Sequence, residues 1–336
     1  MKRKFLHPAL MLLIAISLLV LIPACQSSNE MDNGDIPAAW TAEASSGDDI
    51  QARLIVTRDF GKQLLLDETI QAASDSTAMS LLQRIASIET SYGGGFVNSI
   101  NGIRSGYSNG HRSRDDWFIS VNGITSNRGA LDYILNDGDI THWDFHNWSF
   151  RQFIPATIGT FPEPFLHGYG GNIYPTIIVY SDGLNKSAEC LADTLKNAGV
   201  INLTVMPLVE LSSELKASAN IILIAESDSS PILEINDLWR RLGFYVHIGE
   251  DFIEVYDEKG EIAEEYITSM GFIQATQNPW NPRGLGACEN VLWIISGTDQ
   301  SAIENAADIL CQRQQDIKYA YSAIIDSGIL QLVPSC

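Results

Sequence analysis

Residues 115–123 read DDWFISVNG, and the pairing of this stretch decides the fold of the N-terminal half. Trp117, Ile119 and Val121 alternate with Phe118, Ser120 and Asn122, which is the period of a β-strand. Asn122-Gly123 then supplies the residue types that enter a tight hairpin turn. Successive side chains on a strand point to opposite faces, so Trp117 and Phe118 cannot share one core. Trp117, Ile119 and Val121 are assigned to the buried face. Phe118, Ser120 and Asn122 face the other way, toward a flat ligand, a partner surface or a second packed layer.

Outward from this strand the pattern continues. ARLIVTRDF (52–60) and KQLLLDETI (62–70) read as a hairpin joined at Gly61-Lys62. STAMSLLQRIASI (76–88) reads as a helix with Ser76 or Thr77 as N-cap and Ala78, Leu81, Leu82, Ile85 and Ile88 on one face. GFVNSINGI (95–103), LDYIL (131–135) and DITHWDFHNW (139–148) read as further strands. A single helix must pack across one face of this sheet, which is the outline of a β-grasp fold over 49–150.

Three runs, GGGFVNSINGI (93–103), DWFISVNGI (116–124) and GALDYILNDGDITHWDFHNW (129–148), resemble the transcobalamin-like C-terminal domain of bacterial surface lipoproteins. That domain is related to the smaller domain of vertebrate cobalamin carriers, where it closes over a corrinoid held mainly by a larger helical domain. The resemblance implies a corrinoid as candidate ligand. Tyr92, Gly93, Gly94, Trp117, Phe118, Asn122 and Tyr133 are the candidate ligand-binding residues. The rival expectation is a non-catalytic cell-envelope module that binds protein or glycan.

The start of the chain indicates a compartment. Lys2, Arg3 and Lys4 precede an apolar run from Pro8 to Ile22, a secretory signal over 1–24. The run is shorter than the ~20 residues that span a bilayer. LIPAC (21–25) resembles the lipobox of bacterial lipoproteins, which implies acylation at Cys25 and a lipid anchor on the extracytoplasmic face of the cell membrane. Residues 25–48 are rich in Ser, Asp, Asn and Gly and read as a flexible tether. Without the signal's three basic residues the chain carries 18 Lys+Arg against 41 Asp+Glu, a balance that argues against nucleic acid as a partner. The partners expected are the membrane, through Cys25, and a small-molecule ligand or a transporter.

Beyond a Pro- and Gly-rich linker at 151–171, residues 172–336 alternate short apolar runs with helical patterns. This predicts an α/β domain with a mostly parallel sheet. NPWNPRGLGACENVLWIISGTDQSAIENAADIL (278–310) is similar to strand-Gly-helix units of prokaryotic surface-layer proteins. Its candidate ligand loops are 181–187, 226–231 and 296–302, where Asp182, Asp228 and Asp299 fit N-capping better than phosphate binding.

HWDFH places His142, Asp144 and His146 on one strand face. That gives a candidate metal site, although alternate residues lie ~6.6–6.8 Å apart, or else a solvated polar face. Trp143 and Phe145 take the core side. Nucleophile-elbow and zinc-protease motifs are absent from the sequence, so the expectation is a protein that is not an enzyme. Cys190, Cys288, Cys311 and Cys336 carry no CxxC spacing, and an exported location leaves disulfides and free buried thiols both open.

Overall fold

The computed structural model describes residues 49–106, 112–250 and 252–335. The signal, Cys25 and the tether lie outside the described residues, as does Cys336. The described residues form one compact unit, β-rich and of α+β class, with two main sheets and few helices.

The N-terminal part runs β1 (Asp49–Arg58), β2 (Gln63–Ala73), α1 (Ala78–Ile85), β3 (Ile88–Ser91), β4 (Phe96–Ile100) and β5 (Ile103–Arg104). It continues with β6 (Asp115–Val121), β7 (Ile124–Thr125) and β8 (Ile140–Asn147). A five-stranded sheet has the order β2-β1-β8-β6-β7, with β1 antiparallel to β2 and parallel to β8. The strand at 115–121 pairs antiparallel with β8, and Asn122-Gly123 turns it into β7 with both residues at positive φ. Asn101-Gly102 does the same between β4 and β5, the backbone that two-residue hairpin loops require.

Thr77 caps α1 in a reciprocal box with Ser80, satisfying free amides of the first turn. The helix buries Ala78, Met79, Leu81 and Leu82. It stops at Ile85, and Ile88, expected on the helical stripe, instead begins β3. β3, β4 and β5 form a separate small sheet. LDYIL is not a strand: residues 131–135 turn, touching Thr77 by one isolated bridge at Ile134. Its backbone partners are instead the first turn of α1 and the residues before it, since Ala78 N–H donates to Tyr133 O and Leu135 N–H to Ser76 O.

The C-terminal part runs β9 (Thr176–Tyr180), α2 (Asn185–Asn197), β10 (Leu203–Pro207), α3 (Ser213–Ser218), β11 (Asn220–Ile224) and α4 (Ser230–Asn236). There follow β12 (Val246–Ile248), β13 (Ile253–Tyr256), β14 (Ile262–Tyr266), β15 (Met270–Gln277), β16 (Val291–Gly297), α5 (Gln300–Gln312), β17 (Ser322–Asp326) and β18 (Ile329–Val333). The seven-stranded sheet has the order β10-β9-β11-β16-β15-β17-β18. Its β10-β9-β11-β16 half is parallel, and every pairing from β16 to β18 is antiparallel. The sheet is therefore mixed rather than mostly parallel. A run buried on both faces, such as β15, has no alternation from which to read strand direction. β12, β13 and β14 form a separate three-stranded antiparallel sheet.

Residues 151–171 hold few regular elements yet contribute Ile154, Ala156, Ile158, Phe165 and Tyr169 to the interior. Proline and glycine exclude helix and ladder geometry without excluding burial. One apolar cluster joins Leu54, Trp117 and Trp143 of the first sheet to Ile158, Phe165, Ile178 and Trp293.

Candidate functional site

Strand period places His142, Asp144 and His146 on one face of β8, and the ladder sets them opposite Ser120, Phe118 and Asp116 of β6. That face is not solvated. All three side chains are buried, covered by Phe60 of the β1–β2 turn and by Tyr319 and Tyr321 from the second sheet's side.

Asp144 is the centre of this cluster. Its Oδ1 accepts from Thr57 Oγ1 at 2.5 Å and Gly61 N at 3.0 Å. Its Oδ2 accepts from Phe60 N at 3.1 Å and pairs with His146 Nδ1 at 2.8 Å. Burial alone would raise the carboxyl's pKa, yet hydrogen bonds from His146 and Thr57 and the nearby imidazoles bring it below the ordinary value. The Thr57 hydroxyl has one proton, given to Asp144, so His142 Nε2, 2.6 Å away, donates to Thr57. Burial pushes the His142 pKa down to about 4, so the ring is neutral at pH 7. Burial, with the Asp144 charge beside it, raises the Tyr321 phenol well above its usual range. Both Asp144 oxygens, His142 Nε2 and His146 Nδ1 are thus turned onto protein partners. Among the described residues no group of three His, Cys, Asp or Glu side chains could hold a metal ion.

Phe118 is half-buried, its ring stacked on His146 at 4.3 Å and 17°. His146 is sandwiched between Phe118 and Phe60, whose centroid lies 4.5 Å away. The outward aromatic of DDWFISVNG therefore has a second packed layer as its neighbour. Trp117 is core, donating from Nε1 to Ile103 O at 3.1 Å.

Asn122 and Tyr133 converge on another buried carboxylate, Asp139. Asn122 Nδ2 donates to Asp139 Oδ1 at 2.8 Å and to Gly168 O at 2.7 Å, while its Oδ1 accepts from Ile140 N at 2.8 Å. Tyr133 donates to Asp139 Oδ2 at 3.2 Å and accepts from Gly170 N at 2.9 Å. These two side chains hold the turn at 136–139 and have no capacity directed at a ligand.

Tyr92, Gly93 and Gly94 lie elsewhere, on a 3-10 turn between β3 and β4. Tyr92 is 90% exposed and meets Phe96 edge to face at 6.5 Å. A methyl built on Gly94 would touch Leu131 at 3.4 Å, and Leu131 and Ile134 are exposed as well. The seven candidate residues therefore divide into a buried group and an exposed apolar rim, and the structure does not gather them around one groove.

Residues 75–147 match a family model described as Domain of unknown function (DUF4430). The match covers α1 through β8, including the Tyr92 rim and the Asp144 cluster. No curated protein matches the chain. Similar solved structures include haptocorrin in complex with Cbi, at 15% identity over 29% of this chain and 25% of that chain, with a TM-score of 0.25. The chain thus spans a quarter of haptocorrin's length. A Ruminococcus gnavus protein, described as a candidate metal-binding protein, is similar at 16% identity over 29% of this chain and 95% of that chain, with a TM-score of 0.22.

In the C-terminal part, Asp299 is an N-cap, accepting from Ala302 N at 2.9 Å. Ser227, Asp228 and Thr298 border a cleft of about 230 Å³ at the carboxyl ends of β11 and β16, below the ~300–1,000 Å³ usual for small-molecule sites. Sequence reasoning missed Thr57, Phe60, Asp139 and Tyr321. The first two carry no local signal, because their role comes from a strand 84 to 87 positions away. Asp139 had one: an Asp ending an Asn-Asp-Gly-Asp turn is a common acceptor of turn amides.

Proposed function

We propose that the chain is a lipid-anchored extracytoplasmic protein that captures a ligand passively, with a corrinoid of the cobalamin class as the candidate ligand. Cys25 carries the anchor. The first sheet with α1 acts as a β-grasp module of the transcobalamin-like kind, a reading supported by the β1–β2 hairpin, the single helix and the parallel β1–β8 pairing. No bond is made or broken in this role, so the protein is not an enzyme.

The observation that carries the reading is the exposed rim of Tyr92 and Phe96, with Leu131 against Gly94. Two aromatic rings near an aliphatic side chain offer a flat ring system a desolvating surface, and the positive φ of Gly93 and Gly94 brings backbone close to it. The contact surface is thus the rim and not Trp117, Asn122 or Tyr133, whose polar atoms are already paired.

Residues 26–336 titrated with cobalamin and cobinamide, followed by visible absorbance and calorimetry, test this. Saturable binding is expected, weakened about two- to tenfold by Tyr92→Ala, since an aromatic stack contributes ~0.5–1.5 kcal/mol. Absence of binding at millimolar ligand removes the corrinoid. Protein or glycan capture lost in the same variant would move the function to envelope interaction.

A further inference from the structure

α2 and α5 pack against each other along one side of the seven-stranded sheet, burying Leu191 and Leu195 of α2 and Ala307 and Leu310 of α5. Each helix carries one cysteine at this contact. The Cys190 and Cys311 thiols are near enough for Cys190 to perturb Cys311. Thr194 ties the same two turns together, its Oγ1 donating to Cys190 O at 3.0 Å and standing 3.4 Å from Cys311 O. Both thiols are free and half-buried. Cys311 and Thr194 also line an open cleft of about 410 Å³ with Phe161, Asn197 and Gln314, so a small oxidant reaches this sulfur from solvent. Cys288 is held far from the pair: its sulfur is 3.3 Å from Thr125 O and 3.7 Å from Gln277 Nε2.

We propose that Cys190 and Cys311 are an oxidisable pair that closes as a disulfide across α2 and α5; that the bond forms in the cell rests on the extracytoplasmic reading above. The thiolate of one cysteine attacks a sulfur of a disulfide oxidant such as glutathione disulfide. One glutathione thiolate leaves and a mixed disulfide remains. The second cysteine displaces the other glutathione, so two electrons and two protons pass from the pair to two glutathione thiols. Burial and the neighbouring Cys190 raise the Cys311 thiol well above its ordinary range, which slows its attack in the folded state. Once closed, the bond clamps α2 to α5 at the contact that Thr194 already bridges. It encloses residues 190–311, the chain from α2 through β16 to α5, and a long closed loop removes much freedom from the unfolded chain.

The full chain is denatured, reduced and refolded with reduced and oxidised glutathione, then alkylated and peptide-mapped without reduction. A linked peptide joining Cys190 to Cys311 is expected, with the melting temperature about 3–8 °C above that of the same protein reduced. Cys190→Ser and Cys311→Ser should each abolish that difference, whereas Cys288→Ser should retain it. Both cysteines fully alkylated after refolding, or either one linked to Cys288 or Cys336 instead, overturns the pairing. The same map on protein recovered from its native cell separates the two readings. A bond that forms on refolding but is absent in the recovered protein refutes the extracytoplasmic location and leaves the pairing standing.

Discussion

Asp144→Asn removes one acceptor oxygen from the centre of the buried cluster without changing its shape. In the native protein two donors converge on each carboxylate oxygen, Thr57 and Gly61 on Oδ1 and Phe60 and His146 on Oδ2. An asparagine amide keeps one acceptor oxygen and turns an NH2 toward the other pair, so either orientation opposes donors to donors. Each buried donor left without an acceptor costs about 1–3 kcal/mol, so the pair of donors that faces the NH2 costs about 2–6 kcal/mol together. Against a usual stability of about 5–15 kcal/mol this is a large fraction. For a unit of this length it lowers the melting temperature by roughly 4–12 °C. Urea unfolding followed by tryptophan fluorescence should show a lower midpoint at unchanged slope. A loss below about 1 kcal/mol would refute the view of Asp144 as the acceptor that holds the β1–β2 turn onto β8.

Two further tests follow from the same region. His142 has a folded pKa of about 4 against an ordinary 6.5, so the unfolded chain binds the extra proton first and stability falls as pH drops through this window. The loss is about 2–3 kcal/mol between pH 7 and 4.5. His142→Gln, which keeps an N–H for Thr57, should flatten the curve by that amount, and parallel curves would show the ring is not buried neutral. Gly61 sits at φ +82 with a built Cβ only 1.9 Å from Tyr319 O. Gly61→Ala should cost well above the ~1–3 kcal/mol of backbone strain alone. Gly102→Ala, at φ +85 with nothing within 4 Å, should cost only the strain, as paired urea curves would show.

Much of the first sheet was legible because its signals are local. Asn101-Gly102 and Asn122-Gly123 turn where their residue types predict, since few other pairs tolerate two positive φ values. Thr77 caps α1 through a bond three residues long. The alternation at 115–121 correctly sent Trp117 inward and set Phe118 on the opposite face. The candidate site was less legible. The pattern of LDYIL predicts a strand at Tyr133, but the residue lies in a turn and its hydroxyl is drawn inward by Asp139 and Gly170, the latter 37 positions away. β15, β17 and β18 gave no periodic signal of direction, so the antiparallel half of the second sheet was not foreseen.

By itself the amino-acid order determined where the chain turns, where its first helix begins and which side chains of each strand travel together, because those are interactions across a few bonds. Tertiary structure alone decided what each face meets. Period two puts His142, Asp144 and His146 on one side of β8, and nothing in HWDFH says whether that side sees water, a metal ion or protein. The closure of Phe60 and Tyr321 over it turned a row of polar groups into a dry, internally paired cluster. It also left Tyr92 and Phe96 as the aromatic pair still open to solvent in the family-matched segment.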